Sequence, residues 1–188
     1  LKQLVRSNCQ KIGIVGFGRI GTALALRMKA FGFNICFYDP FATLGIENTM
    51  QVERLNSLDQ LLQECSIISM HCPSTALTKG IINKRFLNLM SKDGILINTA
   101  RGDLLKDFNT LLDWLDKELI ARCGLDVIPN EPPKWSSMQN DMIKKFSKQG
   151  RLIINPHTAY FSQQSYADMR KKAARSIFNY IFNQTVPL

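Results

Sequence analysis

The first residues in this chain whose types and spacing could do chemistry are three glycines and one aspartate. Residues 12–21 read I-G-I-V-G-F-G-R-I-G, an apolar run entering Gly16, Gly18 and Gly21, and Asp39 closes a second apolar run at 34–38. An apolar strand, a glycine turn, a helical pattern and an acid about 20 residues on form the fingerprint of a dinucleotide-binding βαβ unit. Each glycine has its own job. The first permits the tight turn, the second lets backbone N–H groups approach a pyrophosphate at a helix N-terminus, and the third lets helix and strand pack closely. Arg19 and Ile20, inside the loop, join them as cofactor-binding candidates. A carboxylate at Asp39 accepts hydrogen bonds from a ribose 2′-OH and repels a 2′-phosphate, so NAD(H) is expected rather than NADP(H).

Other polar residues gather at equivalent places. His71, the run Asn98-Thr99-Ala100-Arg101, Asp126, Glu131 and His157 each fall at or just after the end of an apolar segment that reads as a strand. Ligands of open α/β sheets bind outside the carboxyl ends of the strands, and polar residues placed at random would be spread over both ends. Their concentration at one edge points to a site.

The elements that must hold these residues follow from periodicity. Strands are expected at 11–15, 34–38, 52–55, 66–71, 94–98, 121–127 and 152–154, alternating with helices at 19–31, 58–64, 83–90 and 107–117, and a closing helix at 162–183. Ser57 and Asn83 read as helix caps. Residues 128–150, with Pro129, Pro132 and Pro133 and little apolar period, read as a long loop. Alternation of this kind specifies an α/β fold, a Rossmann-type doubly wound parallel sheet with helices on both faces.

At 188 residues and 45% hydrophobic content the chain can bury a core of one domain, taken as residues 1–188. No run is long enough to span a bilayer, and no membrane association is expected. The five cysteines, Cys9, Cys36, Cys65, Cys72 and Cys123, are scattered singly with no metal-ligand spacing, so no metal is expected and the thiols read as reduced and intracellular. Cys72 stands apart because it lies in a cofactor-facing loop, although a small buried residue accounts for it. The net charge is +9, and from Lys134 onward nine Lys and Arg face two acids. With no recognition helix or stacking motif beside them, Lys144, Lys145, Lys148 and Arg151 in the long loop and Arg170, Lys171, Lys172 and Arg175 on the closing helix read as solvated charge, and direct nucleic-acid binding is not expected.

The blocks Gly16–Gly21 with Asp39, His71-Cys72-Pro73 with Thr75 and Thr78, residues 98–102, Leu125-Asp126-Val127 with Glu131-Pro132, and Pro156-His157 together resemble the D-isomer-specific 2-hydroxyacid dehydrogenases. Residues 30–40 and 157–174 most resemble the C-terminal-binding-protein branch, NAD(H)-binding transcriptional corepressors on the same fold. The resemblance implies that His157 is a general acid toward a 2-oxo oxygen, a task suited to a pKa near 6.5. It implies that Glu131 orients that imidazole and favours its charged form, and that Arg101 binds the substrate carboxylate through its planar donor fork. Asp126 would meet the nicotinamide end of the cofactor, with His71, Cys72, Pro73, Thr78, Thr99, Ala100, Arg101, His157 and Tyr160 completing its surroundings. The loop at 133–150 is longer than the family's usual one, and Tyr160 stands where the corepressors often have Trp.

The family has a second lobe that this sequence lacks, so the chain, starting at Leu1 and stopping at residues 186–188, reads as an excised domain expected to bind NAD(H) but to turn over 2-oxo acids poorly. For the parent protein the resemblance leaves two readings. The resemblance implies a homodimer in either case; as a corepressor the protein would be nuclear and cytoplasmic and recruit transcription factors or corepressor-complex proteins. As a metabolic enzyme it would be cytoplasmic and reduce a 2-oxo acid. The expectation leans slightly to the corepressor.

Overall fold

The computed structural model describes residues 6–183; Leu1 and residues 186–188, the chain ends noted above, lie outside them. The chain divides into two compact units, one ending at Pro156 and one beginning at His157.

In the first unit seven strands form one parallel sheet: β1 Lys11–Val15, β2 Asn34–Tyr38, β3 Glu53–Arg54, β4 Ile67–Met70, β5 Ile95–Asn98, β6 Arg122–Leu125 and β7 Leu152–Ile154. Their spatial order is β3-β2-β1-β4-β5-β6-β7, with every pairing parallel. The order reverses direction beside β1, where the chain leaves β3 and returns to β4. This is the doubly wound α/β arrangement expected from the alternation of elements.

Strand alternation sorts the core into two layers. Ile12 and Ile14 of β1 and Ile35 and Phe37 of β2 share one face with Ala25 of α1, Arg19–Ala30. Val15 and Cys36 point the other way and join Ile68, Leu96, Cys123 and Leu152 in a larger cluster. That cluster is roofed by α3 Leu58–Glu64, α4 Lys84–Leu89, α5 Phe108–Asp116 and α6 Ser137–Lys148, while the short α2 Ile46–Met50 precedes β3. With successive side chains pointing to opposite faces, β1, β2 and β4 are apolar and largely buried on both sides, whereas Ile95 and Ile97 of β5 are only partly buried and Ile153 of β7 is exposed. Ser57, Asn83, Asp107 and Ser136 cap α3 to α6, each accepting a backbone N–H of the first turn.

The expected long loop at 128–150 is corrected by α6. Its prolines stop at Pro133, and Ser136 with Gln139 then forms a reciprocal capping box. Met142, Ile143 and Phe146 face the core, and Phe146 is fully buried. Lys144, Lys145 and Lys148 therefore sit on a helix, on its outer side, with Lys145 paired to Asp116 at 2.6 Å. Those three lysines remain exposed, whereas Arg151 is not a solvated charge. Its guanidinium donates to the carbonyls of Leu115 at 2.6 Å and Ala121 at 3.1 Å and lies over the Phe146 ring. Trp135 stacks on Phe108 with ring centroids 6.1 Å apart, anchoring the approach to α6.

In the second unit α7, Gln163–Phe178, is capped by Ser162 and runs on as a single π-helical turn, Asn179–Asn183. His157 has φ 55° and its ring meets that of Tyr160 edge-on at 5.9 Å. Among the described residues, no helix is long and apolar enough to cross a membrane and no group of side chains could hold a metal ion.

Candidate functional site

The carboxyl ends of β1, β2, β4, β5 and β6 bring the first unit's site residues to one edge. β1 runs into Gly16, whose φ of 93° makes the turn and whose N–H donates to the Tyr38 carbonyl at 3.0 Å. A Cβ on Gly16 would sit 2.5 Å from the backbone nitrogen of Cys72, so this turn lies directly against the segment leaving β4. A Cβ on Gly21 would lie 2.3 Å from the Gly16 carbonyl oxygen, which is the close helix–strand contact expected of the third glycine. At Gly18 the result is opposite: nothing stands within 4 Å of the added atom.

That open position is the cap of α1. Whereas α3 to α6 are capped by side chains, Gly18 offers none, and the first turn of α1 holds no acid. The backbone donors at this helix start face an open edge together with the positive end of the helix dipole, which is an anion site. Arg19 and Ile20 are exposed beside it.

Asp39 joins the glycine loop to the tip of β2. Its Oδ2 accepts from Phe17 N at 2.7 Å and its Oδ1 from Phe41 N at 2.8 Å. Each oxygen keeps a further lone pair, so the fixed carboxylate can still accept a ribose hydroxyl. The residues present thus fit a dinucleotide: a cradle that a methyl group would fill, uncapped amides for a diphosphate and an oriented acid for a ribose.

After β4, His71 is half-buried, its Nε2 is 2.8 Å from Ser69 Oγ, and burial pushes its pKa below the ordinary 6.5. Cys72 is buried, and burial is also what raises its thiol pKa. Thr78 staples the following turn, donating to the Pro73 carbonyl at 2.5 Å and accepting from Thr75 N at 2.8 Å.

After β5, the fully buried Asn98 shapes the loop carrying Thr99, Ala100 and Arg101. Its Oδ1 accepts from Ala100 N at 3.0 Å and its Nδ2 donates to the Arg101 carbonyl at 2.9 Å. The Arg101 side chain is exposed, with Nη1 on the Ala100 carbonyl at 2.6 Å. The next residue, Gly102, approaches the Ile128 carbonyl so closely that a Cβ there would overlap it at 1.9 Å. This contact brings the β5 loop against the segment after β6, where Asp126 is buried and Glu131 Oε1 accepts from Ile128 N at 2.8 Å. Arg101, Asp126 and Glu131 are thereby held in one loop cluster. His157 and Tyr160 belong to the second unit.

Of the residues that fix this geometry, Asn98 was among the candidates read from the sequence and Phe17 lies within the glycine fingerprint, whereas Ser69, which meets His71, and Ile128, which meets Gly102 and Glu131, carry no motif. A hollow of about 840 Å³ lies elsewhere, at the amino ends of the strands, where Lys11, Asn34 and Glu53 line it. There Lys11 is spanned by Glu53 and Glu64, a set of satisfied ion pairs.

Residues 2–159 match the D-isomer specific 2-hydroxyacid dehydrogenase, NAD binding domain, family. The chain belongs to this family. It is an NAD-binding domain of the 2-hydroxyacid dehydrogenases, as the glycine loop and Asp39 indicate. Among its relatives, D-3-phosphoglycerate dehydrogenase from Methanocaldococcus jannaschii is 38% identical over 123 residues, 65% of this chain and 23% of that protein. Glyoxylate reductase from Thermococcus litoralis is 34% identical over 176 residues, 94% of this chain and 50% of that protein. The crystal structure of D-lactate dehydrogenase with NAD+ from Lactobacillus jensenii superposes with a TM-score of 0.83 at 30% identity, covering 97% of this chain and 56% of that one. The chain thus spans from about a quarter to just over half the length of these relatives. All three are dehydrogenases or reductases by name, and none bears out the corepressor branch or the nuclear setting expected from the sequence.

Proposed function

We propose that the parent protein is a metabolic NAD-dependent D-2-hydroxyacid dehydrogenase, interconverting a 2-oxo acid and its 2-hydroxy acid. The observation that carries this reading is the loop cluster at the carboxyl edge, where Gly102 seats Arg101 against the segment holding Asp126 and Glu131, beside an α1 start left open for a diphosphate. When bound, NADH supplies the hydride. Arg101 has one guanidinium nitrogen on its own loop and its remaining donors exposed, which suits bidentate recognition of a carboxylate. Asp126, buried at the end of β6, faces the nicotinamide end in this assignment. The roles given to Glu131, in orienting an imidazole, and to His157, in donating the proton, are carried by the resemblance of their motifs.

The test is NADH oxidation by the full-length protein over a panel of 2-oxo acids, including glyoxylate, pyruvate and phosphonooxypyruvate. Turnover of at least one, lost in Arg101→Ala and His157→Gln while NADH still binds, supports the proposal. Turnover of none, with NADH bound, contradicts it and returns weight to a corepressor, which would use NAD(H) to stabilise a homodimer that recruits transcription factors. Homodimerisation is part of both readings and is measurable by sedimentation.

A further inference from the structure

We infer that Arg54 is a positioning residue for recognition of the adenosine ribose, acting through Asp39; the inference rests on the NAD(H) assignment above. Arg54 lies on the edge strand β3, in register with Phe37 of β2. Its guanidinium reaches back under the loop that begins at Asp39. Nη2 donates to the Thr43 carbonyl at 2.6 Å, both Nη atoms lie 3.3 Å from the Ala42 carbonyl, and Nη1 is 3.5 Å from the carbonyl of Asp39 itself. Nε donates to Glu47 at 2.9 Å, and Glu47 also accepts from Gly45 N, so the acid on α2 closes the same loop from its far end.

A second path runs through aromatic rings. The guanidinium carbon sits 5.0 Å from the centroid of Phe37, and Phe37 stacks on Phe17 at 3.9 Å and 15°. Phe17 is the residue whose N–H donates to Asp39 Oδ2. One side chain therefore braces Asp39 from both directions, through the carbonyls of residues 39, 42 and 43 and through the ring stack beneath the glycine turn.

This arrangement needs a flat, permanently charged donor fork. A lysine ammonium is a point charge and cannot serve three carbonyls and a carboxylate in one plane while lying on a ring. The donors are also spent on the loop, which leaves Arg54 unsuited to receiving a 2′-phosphate. Its contribution is to hold the carboxylate in place for a hydroxyl.

The experiment compares binding of NADH and of its 2′-deoxyadenosine analogue to the wild-type chain, Arg54→Gln, Arg54→Lys and Asp39→Ala, with thermal melts to establish folding. The wild type is expected to favour NADH by about tenfold, the scale of one hydrogen bond to a charged group. In both Arg54 variants that preference falls to about twofold, while the analogue binds as it does to wild type. A preference left intact in the Arg54 variants but abolished in Asp39→Ala overturns the role of Arg54 and leaves the ribose assignment standing. An equal loss for both ligands also overturns it, because general loosening does not distinguish them. No preference in the wild type overturns the ribose assignment of Asp39 and the inference with it. If Arg54→Gln fails to fold, Arg54→Lys decides.

Discussion

Gly18→Ala separates what the glycine loop does for the fold from what it does for the cofactor. Gly18 has φ −82° and ψ −157°, a conformation that alanine adopts, and no atom stands within 4 Å of the added Cβ. Replacing glycine at a compatible position stabilises by about 0.4–1 kcal/mol through the unfolded chain, whereas alanine is a poorer helix cap than glycine by a similar fraction of a kcal/mol. The two nearly cancel, and the melting temperature should move by no more than a degree or two. The same methyl group occupies the opening over the first turn of α1, where the amides must meet a diphosphate. Affinity for NADH should fall at least tenfold, about 1.4 kcal/mol. Gly21→Ala is the contrast. Its Cβ would stand 2.3 Å from the Gly16 carbonyl oxygen, a backbone atom that cannot swing away, and such overpacking costs about 1–3 kcal/mol. Scanning fluorimetry and calorimetric titration of both variants give the answer. The reasoning is refuted if Gly18→Ala binds NADH like wild type, or if it loses as much stability as Gly21→Ala.

Phe146→Ala should lower stability by about 3–5 kcal/mol in urea unfolding, while Lys144→Ala, on the outer side of α6, should stay within about 0.5 kcal/mol. A small loss at Phe146 would mean that α6 is not packed on the sheet. Burial lowers the pKa of His71, so on acidification the unfolded chain takes up the proton first. Its contribution to stability is intact above about pH 6.5 and declines below it, a slope that melts from about pH 7.5 to about pH 5.5 should show and that His71→Gln should flatten. Ser136→Ala should cost about 1 kcal/mol by removing the capping box of α6, measurable by the same urea titration.

The sheet was legible because its central strands β1, β2 and β4 read as near-unbroken apolar runs. β1, β2 and β7 begin and end where their residues predict, and Ser57 and Asn83 cap the helices they were expected to cap. α6 was missed although Met138, Met142, Ile143 and Phe146 stand at i, i+4, i+5 and i+8, the spacing of one helical face, and Ser136 with Gln139 forms a capping box; the proline cluster before it and three lysines among its twelve residues drew the reading to a loop. At the site, motif residues were readable because their chemistry is encoded in type and spacing. Their supports were not. Arg54 is one arginine among the 24 basic residues, and only the β2–β3 register puts its guanidinium beneath the Asp39 loop. Arg151 illustrates the same limit, reading as solvated charge until its donors are seen on the carbonyls of Leu115, Ile120 and Ala121.

The most direct measurement is calorimetric titration of the wild-type chain and Asp39→Ala with NADH and with NADPH. The account predicts clear NADH binding and much weaker NADPH binding by the wild type, and a loss of NADH affinity of about ten- to a hundredfold in Asp39→Ala that erases the preference. Equal binding of the two coenzymes by the wild type, or binding of neither, would contradict it.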